Sequence, residues 1–448
     1  MAKGSAGITE VTKGGADFRV PPHVPEGRVL VYGMGLPFQA AERKAGLICN
    51  LREGKMPGVD WENGTDVILF DDLTNLSADH AVEVTRNHEE PNPNTDPPGQ
   101  LVTMIKYPIR AGFVPLGAKR SDGSAHPHAG TGFGINRTHA WSSNRKDSPP
   151  YSLDLSEGSE RYSYFELHQF SFDGEAFQVL KTDRVSEMDL ISGWRIGNIG
   201  ITNAISDGDD LLFSMVGGKP HGGSGAGVVR WCCEGEDWRP VSFVPVTGED
   251  RSKEPSVIRD VDGALLFSVR GGHEPDYNDI RVWRSSGEGD AWEKMIHVRD
   301  VVSSTPISIN QAADGSPYIA ANLYEVFMYR ADLARTKTDP EGRLRGGGWT
   351  RETACIWPLN QDRTGLEQPM VVIDGSKDFG RPPGGSAWRV DHPSGMTVQL
   401  SDGRWHHVLA YRVLEDGEMT YAMDPTPYTG CFMEEVISRG ETIPVWNF

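Results

Sequence analysis

"DGALLFSVRGG", residues 262–272, joins an Asp-Gly turn to an apolar run that ends in an arginine. The same unit recurs as "DGDDLLFSMVGG" from 207, "DGSPYIAANL" from 314 and "DGRWHHVLAYRV" from 402. Asp-Gly is a turn signal, and short apolar runs between such turns are typical of strands. The turns at 207, 262 and 314 lie about 50 to 55 residues apart, a spacing that fits one four-stranded propeller blade.

The repeat predicts an all-β fold. We expect a single β-propeller over residues 1–448, with about seven four-stranded blades and inner strands that begin near 209, 264, 316 and 404. Outer hairpins bounded by tryptophan, such as "WRSSGEGDAWEKM" from 283, separate the repeated units. Two stretches near 85–100 and 141–163 are predicted to be loop insertions, and long propeller loops commonly shape a binding face.

The charge of the chain limits its partners. Acidic residues number 63 against 44 basic ones, and the net charge of −19 argues against nucleic acid and anionic membrane. An acidic substrate is still compatible with this charge, because a few arginines can reverse the potential inside a cleft. No apolar run has the roughly 20 residues that span a bilayer, so membrane insertion is not expected.

The chain begins with "MAKGSAGITEVTKGG", which lacks the apolar segment of a secretory signal. As written, the sequence predicts a cytoplasmic protein. A secreted or periplasmic protein whose leader has been removed would look the same. Five cysteines without a C-x-x-C spacing indicate reduced thiols rather than a zinc-thiolate cluster.

Residues 254–292 resemble a blade of the sialidase-like, Asp-box propellers. The features that carry the resemblance are Glu254, the Asp262-Gly263 turn, Arg270 and the degenerate box "SSGEGDAW" at 285–292. Gly287 occupies the position where the box usually has aspartate. The resemblance implies a carbohydrate-active enzyme, and the order of candidate residues is most similar to that of the ulvan lyases, which cleave uronate-containing polysaccharides.

This resemblance implies a carboxylate clamp formed by arginine. A guanidinium at the end of a strand can grip a sugar carboxylate through two hydrogen bonds, and Arg270 is the first candidate. Further candidates for substrate binding are Arg195, Arg281, Arg330 and His221. Those lyases carry a tyrosine shortly before the arginine, whereas Glu254 stands here, so Tyr277 is the nearest available tyrosine.

"KRSDGSAHPHAGTGFGI", residues 119–135, contains two histidines one residue apart. In a strand, His126 and His128 would point to the same face. A neutral imidazole is a base suited to pH 7, and His168 follows as a further catalytic candidate. Two alternatives remain open, a structural role and a metal site. For the latter, His139, His168 and His221 could each add a ligand to a structural zinc or calcium ion.

The sequence therefore favours a lyase that cleaves an acidic polysaccharide or oligosaccharide by β-elimination, without a cofactor in the chemistry. A sialidase-like hydrolase that uses Glu254 and an arginine cluster is the first alternative. A non-catalytic propeller that binds glycan or protein is the second.

Overall fold

The computed structural model describes most of the propeller. The described residues are 7–12, 19–20, 28–53, 64–73, 81–94, 97–141, 162–185, 189–190, 193–219, 223–235, 237–248, 252–271, 278–286, 291–303, 305–323, 337–338, 344–345, 351–380, 387–416 and 430–443. Their regular structure is β apart from one short helix, α1 (Gly375–Phe379). None of these residues forms a helix of the length and apolar character that crossing a membrane requires.

Two short strands precede the first blade, and the first three blades follow one another along the chain. The leading strands are β1 (Ile8–Val11) and β2 (Arg19–Val20). The first blade contains β3 (Arg28–Ala41), β4 (Lys44–Glu53), β5 (Thr65–Phe70) and β6 (Val82–Thr85). The second contains β7 (His88–Asn92), β8 (Gln100–Lys106), β9 (Arg110–Val114), β10 (Thr131–Trp141), β11 (Ser163–Phe172) and β12 (Phe177–Val185). The third contains β13 (Asp189–Leu190), β14 (Trp194–Ile199), β15 (Ile205–Asp207), β16 (Asp210–Gly218), β17 (Ser224–Glu234) and β18 (Asp237–Pro245).

The remaining three blades complete the ring. The fourth contains β19 (Lys253–Arg259), β20 (Leu265–Arg270), β21 (Ile280–Ser286) and β22 (Ala291–Val298). The fifth contains β23 (Ser308–Gln311), β24 (Pro317–Asn322), β27 (Thr353–Pro358) and β28 (Met370–Asp374), with a separate pair formed by β25 (Lys337–Thr338) and β26 (Leu344–Arg345). The sixth contains β29 (Ala387–Gln399), β30 (Trp405–Asp416) and β31 (Gly430–Ser438).

The innermost strands form a closed ring. β3 contacts β9, which contacts β15; β19, β23 and β29 follow, and β29 returns to β3. The last blade is completed by the beginning of the chain, because β1 pairs antiparallel with β31. The all-β propeller predicted from the sequence is thus confirmed.

Two details of that prediction need correction. The described strands form six blades rather than about seven, because the second and fifth blades take up far more chain than the 50-to-55-residue repeat. The strands after the Asp-Gly turns begin at 210, 265, 317 and 405, one residue from the predicted starts. Each is the second strand of its blade, because the Asp-Gly turn connects the innermost strand to its neighbour.

The stretch 85–100 is only partly a loop. Residues 88–92 form β7, which pairs with β8 from Asn92↔Gln100 to His88↔Met104. β7 lies at the edge of its sheet, where Pro91 is tolerated because an edge strand has one side without ladder hydrogen bonds. Of the second predicted insertion, residues 142–161 lie outside the described residues.

Apolar side chains from neighbouring blades pack together at each of the six interfaces. Two members of each interface cluster, one from each blade, in order around the ring, are Phe38 and Phe170, Phe133 and Trp231, Val228 and Phe267, Leu266 and Ile319, Ile356 and Tyr411, and Val398 and Leu47. Burial of this apolar area is the main stabilising term of the fold. The interior strands therefore have mostly apolar sequences. The packed blades hold the ends of the innermost strands in fixed positions, and with them the polar side chains found there.

Candidate active site

The two faces of the propeller differ in chemistry. We call the face that carries the Asp-Gly turns the turn face, and the opposite one, where each innermost strand begins, the site face. In the fourth blade, Arg259 pairs with Leu265 at the turn face, and Lys253 pairs with Arg270 at the site face. The six residues of β20 separate the faces by roughly 17 Å at about 3.3 Å per residue.

Glu254 and Arg270 form an ion pair on the site face. Arg270 Nη1 donates to Glu254 Oε2 at 3.0 Å, and their side chains are 18% and 27% exposed. Burial alone would raise the pKa of Glu254, but the guanidinium of Arg270, helped by His392 and Arg351, lowers this pKa below its ordinary value. Glu254 is therefore an ionised carboxylate at neutral pH. Arg270 ends the second strand rather than the innermost one, and it reaches the innermost strand through this contact.

Asp391 on β29 collects several donors. Arg412 donates to Oδ1 through Nε at 2.7 Å and to Oδ2 through Nη2 at 2.8 Å. His392 Nδ1 lies 2.7 Å from Oδ1, and Arg351 Nη1 also donates to Oδ2. Although burial acts in the opposite direction, the charges of Arg412 and Arg351 and the hydrogen bond from His392 hold the pKa of Asp391 well below its usual range. Asp391 is an ionised carboxylate that links the fifth and sixth blades.

Three arginines from different parts of the ring converge here. Residues 351 and 389 form a parallel bridge, and Val390 N donates to the carbonyl of Arg351 at 2.7 Å. Burial and the neighbouring charges of Arg270 and Arg389 lower the pKa of Arg351, although Asp391 opposes this change. Like charges repel most strongly where water is scarce. Among the described residues, these arginines and Arg412 lie beside Glu254 and Asp391, and such a grouping of guanidinium groups suits an anionic ligand.

His392 and Glu254 share an unusual backbone conformation. Their φ angles are 55° and 50°, in the left-handed region that side chains other than glycine seldom adopt. Both residues lie at register shifts of innermost strands, between Asp391 and Ser394 in β29 and between Lys253 and Ser256 in β19. β-Bulges and strained backbone are frequent at functional sites, where they redirect a side chain. The coincidence of both features in two neighbouring titratable residues indicates a binding or catalytic site.

His392 is a neutral imidazole at pH 7. Burial lowers its pKa below the ordinary value, and the attraction of Asp391 only partly offsets this effect. The ionised Asp391 can only accept a hydrogen bond, so Nδ1 of His392 must carry the ring proton. Nε2 is then the nitrogen with the lone pair. This arrangement is that of a base whose tautomer is fixed by a carboxylate.

His126 and His128 do not lie near Arg270. His126 Nε2 is 3.1 Å from the carbonyl of Gly208, in an Asp-Gly turn, and 3.4 Å from Asp209. Both histidines are therefore on the turn face, so the structure does not bring these two catalytic candidates to Arg270. The predicted strand is also absent, because residues 126–130 form turns in which the N–H of His128 donates to Nδ1 of His126. Pro127 and the positive φ of Gly130 favour turns at this point.

His168 lies within the second blade. It is fully buried on β11, with Nε2 2.8 Å from Asn136 Oδ1 and Nδ1 3.0 Å from Thr182 Oγ1. β11 is separated from the innermost ring by β10. The structure therefore does not bring His168 to the Glu254–Arg270 pair.

Buried neutral histidines should make stability fall in mild acid. Burial lowers the pKa to about 4 for His168 and to about 3 for His407. The unfolded chain binds protons near pH 6.5 and the folded protein does not, so the free energy of unfolding decreases as pH falls from about 6.5 to about 4. Each histidine contributes at most about 1.4 kcal/mol per pH unit. Urea unfolding at several pH values measures how the free energy of unfolding changes with pH. This pH dependence should be weaker for His407→Gln than for the natural chain, and an equal dependence would contradict this account.

The arginines predicted to bind substrate occupy different places. Arg281, on the third strand of the fourth blade, is buried on the site face, where Nη2 donates to Ser252 Oγ at 3.2 Å. Its guanidinium lies 5.4 Å from the ring centroid of Trp283. Arg195 is exposed on β14. Arg330, like the catalytic candidate Tyr277 and the loop histidine His221, lies outside the described residues.

The described side chains do not form a cluster of metal ligands. Within the described part of the chain, no three His, Cys, Asp or Glu side chains are grouped as a metal ion would require. His139 belongs to β10, but its side chain is not among those described.

Sequence reasoning missed most of the cluster on the site face. Arg351, Arg389, Asp391, His392 and Arg412 belong to this group. One signal was available: Arg412 follows the Asp402-Gly403 turn much as Arg270 follows its own turn. A second signal is the His-Pro pair that interrupts the strand "AWRVDHPSGMTVQ".

Comparison of the sequence with protein-family models and with curated proteins finds no match. Among solved structures, the fold is similar to NanB sialidase from Streptococcus pneumoniae, with a TM-score of 0.52 and 9% identity over 92% of this chain and 68% of that one. A Trypanosoma rangeli sialidase has a TM-score of 0.49 and 10% identity, over 97% of this chain and 60% of that one. An ulvan lyase has a TM-score of 0.40 and 12% identity, over 74% of this chain and 65% of that one. The first likeness confirms the sialidase-like propeller fold implied by residues 254–292.

Proposed function

We propose that this protein is a lyase that cleaves a uronate-containing acidic polysaccharide by β-elimination. The observation that carries the proposal is the placement of His392, with Nδ1 against the Asp391 carboxylate, beside a cluster of arginines. β-Elimination needs both a base for the proton next to the carboxylate and positive charge to stabilise the intermediate.

The arginines supply the positive charge. Arg270, Arg351 and Arg389 would hold the uronate carboxylate, whose negative charge increases when the adjacent carbon loses its proton. Preorganised guanidinium groups stabilise that charge without reorganisation, and more strongly in a buried site than in water. The proposed reaction requires no metal ion.

His392 would supply the base. Its Nε2 takes the proton from C5 of the uronate, the electron pair forms the C4–C5 double bond, and the C4–O bond breaks. The leaving oxygen then takes a proton, and we propose Tyr277, the tyrosine closest in sequence to Arg270, as its donor. This assignment places the base at His392 rather than at His126, His128 or His168, which lie away from the arginines.

The two carboxylates described at the site are poor candidates for a general acid. Most glycosidases need a carboxylic acid that stays protonated at working pH, which requires a raised pKa. Glu254 and Asp391 instead have lowered pKa values, because each is held by arginine. They suit the neutralisation and orientation of cationic groups better than proton donation.

An absorbance assay tests the proposal. Elimination creates a conjugated double bond, so incubation with a panel of uronate polysaccharides should raise the near-ultraviolet absorbance, while matched neutral polysaccharides should not respond. New reducing ends without absorbance would show hydrolysis and contradict the proposal. Binding without any product would identify a glycan-binding propeller and contradict it equally.

A further inference from the structure

We infer that Arg412 is a positioning residue which, through Asp391, fixes the orientation and tautomer of His392. The inference rests on the proposed function, because it concerns the base of that reaction. Arg412 is fully buried, so it acts on a substrate only through other residues.

The geometry around Asp391 supports this role. Asp391 and Arg412 are directly opposite in the register of β29 and β30, and the register breaks immediately afterwards. Arg412 thus holds the last paired residue before the bulge that contains His392. Its two hydrogen bonds, at 2.7 and 2.8 Å, engage both carboxylate oxygens, so Asp391 cannot rotate without breaking one of them.

Four of the described groups act on the charge around His392. Asp391 is adjacent and accepts from Nδ1, Arg412 opposes it from β30, and Glu254 acts from β19. Arg351 contributes through its bond to Asp391. Asp391 and Glu254 raise the pKa of His392, whereas Arg412 lowers it. Arg412 therefore restrains the basicity that Asp391 confers on His392 and keeps the imidazole neutral.

The test uses nitrogen NMR of the complete, substrate-free protein, with the His392 signal assigned by its loss in His392→Gln. In the natural chain the ring proton should be on Nδ1. In Arg412→Gln the titration midpoint of His392 should rise, because the charge of Asp391 is less neutralised. An unchanged midpoint and tautomer, accompanied only by lower thermal stability, would reduce Arg412 to a structural residue and overturn the inference.

Arg412→Lys provides a second variant if the glutamine variant does not fold. Lysine keeps the charge but not the two-point contact, so the midpoint should stay near that of the natural chain. The orientation of the imidazole should be less well defined, and kcat should fall about 10-fold with little change in KM, as when an outer orienting partner is lost. Full kcat in this variant would contradict the positioning role. If no absorbance increase is seen on any uronate polysaccharide while the titration midpoint of His392 rises in Arg412→Gln, the proposed reaction is wrong. The link between Arg412 and His392 would still hold.

Discussion

Replacing His392 with glutamine is expected to lower kcat by about 10²- to 10⁴-fold, the usual contribution of a general base. Glutamine keeps a polar side chain of similar size beside Asp391 but cannot take a proton near neutral pH. The loss should appear in initial rates of absorbance increase on a uronate polysaccharide. Because His392 is the base, the rate of the natural protein should fall as pH drops through a pKa that burial places below the ordinary histidine value. The variant should lack this dependence.

The control for this experiment lies on the other face of the molecule. His128→Gln changes a partly buried histidine of the turn face, which has a similarly lowered pKa caused mainly by burial. Its rate should stay within about twofold of the natural protein, since surface substitutions away from the site have small effects. If His128→Gln lost activity and His392→Gln retained it, the active face would have been assigned to the wrong side of the propeller.

Arg270→Lys is the second change with a large expected effect, a loss of about 10²- to 10³-fold in kcat/KM. Lysine preserves the charge opposite Glu254, so the fold should be retained. An ammonium group cannot make the planar two-point contact with a carboxylate, and the stabilisation lost should be greatest as charge develops in the transition state. Rates and KM on a uronate substrate, with circular dichroism as the check on folding, measure the effect.

Arg284→Lys is the matched control in the same blade. Arg284 pairs with Asp260 at 3.0 Å and with Asp262 on the turn face, so it is also a partly buried, ion-paired arginine but lies away from the site. Near-natural kcat/KM is expected. Equal activity of the two lysine variants on an acidic glycan would rule out a carboxylate clamp that includes Arg270.

The strand pattern of this protein could be read from its sequence, whereas the number of blades could not. Asp-Gly turns and apolar runs are local signals, and they located four strands to within one residue. The number of blades depends on how many residues lie between those signals. The hairpin of β7 and β8 and the long connection between β24 and β27 lengthen two blades, and neither follows from the repeat.

The candidate site was predictable only in part, for a related reason. Glu254 and Arg270 sit in one continuous stretch whose turn fixes them at adjacent strand ends, so sequence spacing placed them together. Arg351, Arg389 and His392 join them only when the fourth, fifth and sixth blades meet in the ring. The left-handed backbone of His392 is a property of the folded bulge. Residue type alone favoured other histidines, because every imidazole has the same chemistry until burial and neighbours distinguish them.

The pairing of β1 with β31 has a consequence for biosynthesis. The sixth blade carries Arg389, Asp391 and His392, yet its outermost strand comes from residues 8–11, which are synthesised before all the other described strands. Residues 8–11 cannot pair with β31 until the intervening blades have been synthesised, and such long-range pairing is intrinsically slow. The blades between them can form earlier, as their strands are close in sequence. The proposed base would thus be among the last parts to become ordered, and a chain interrupted during translation would contain most of the propeller without a complete active site.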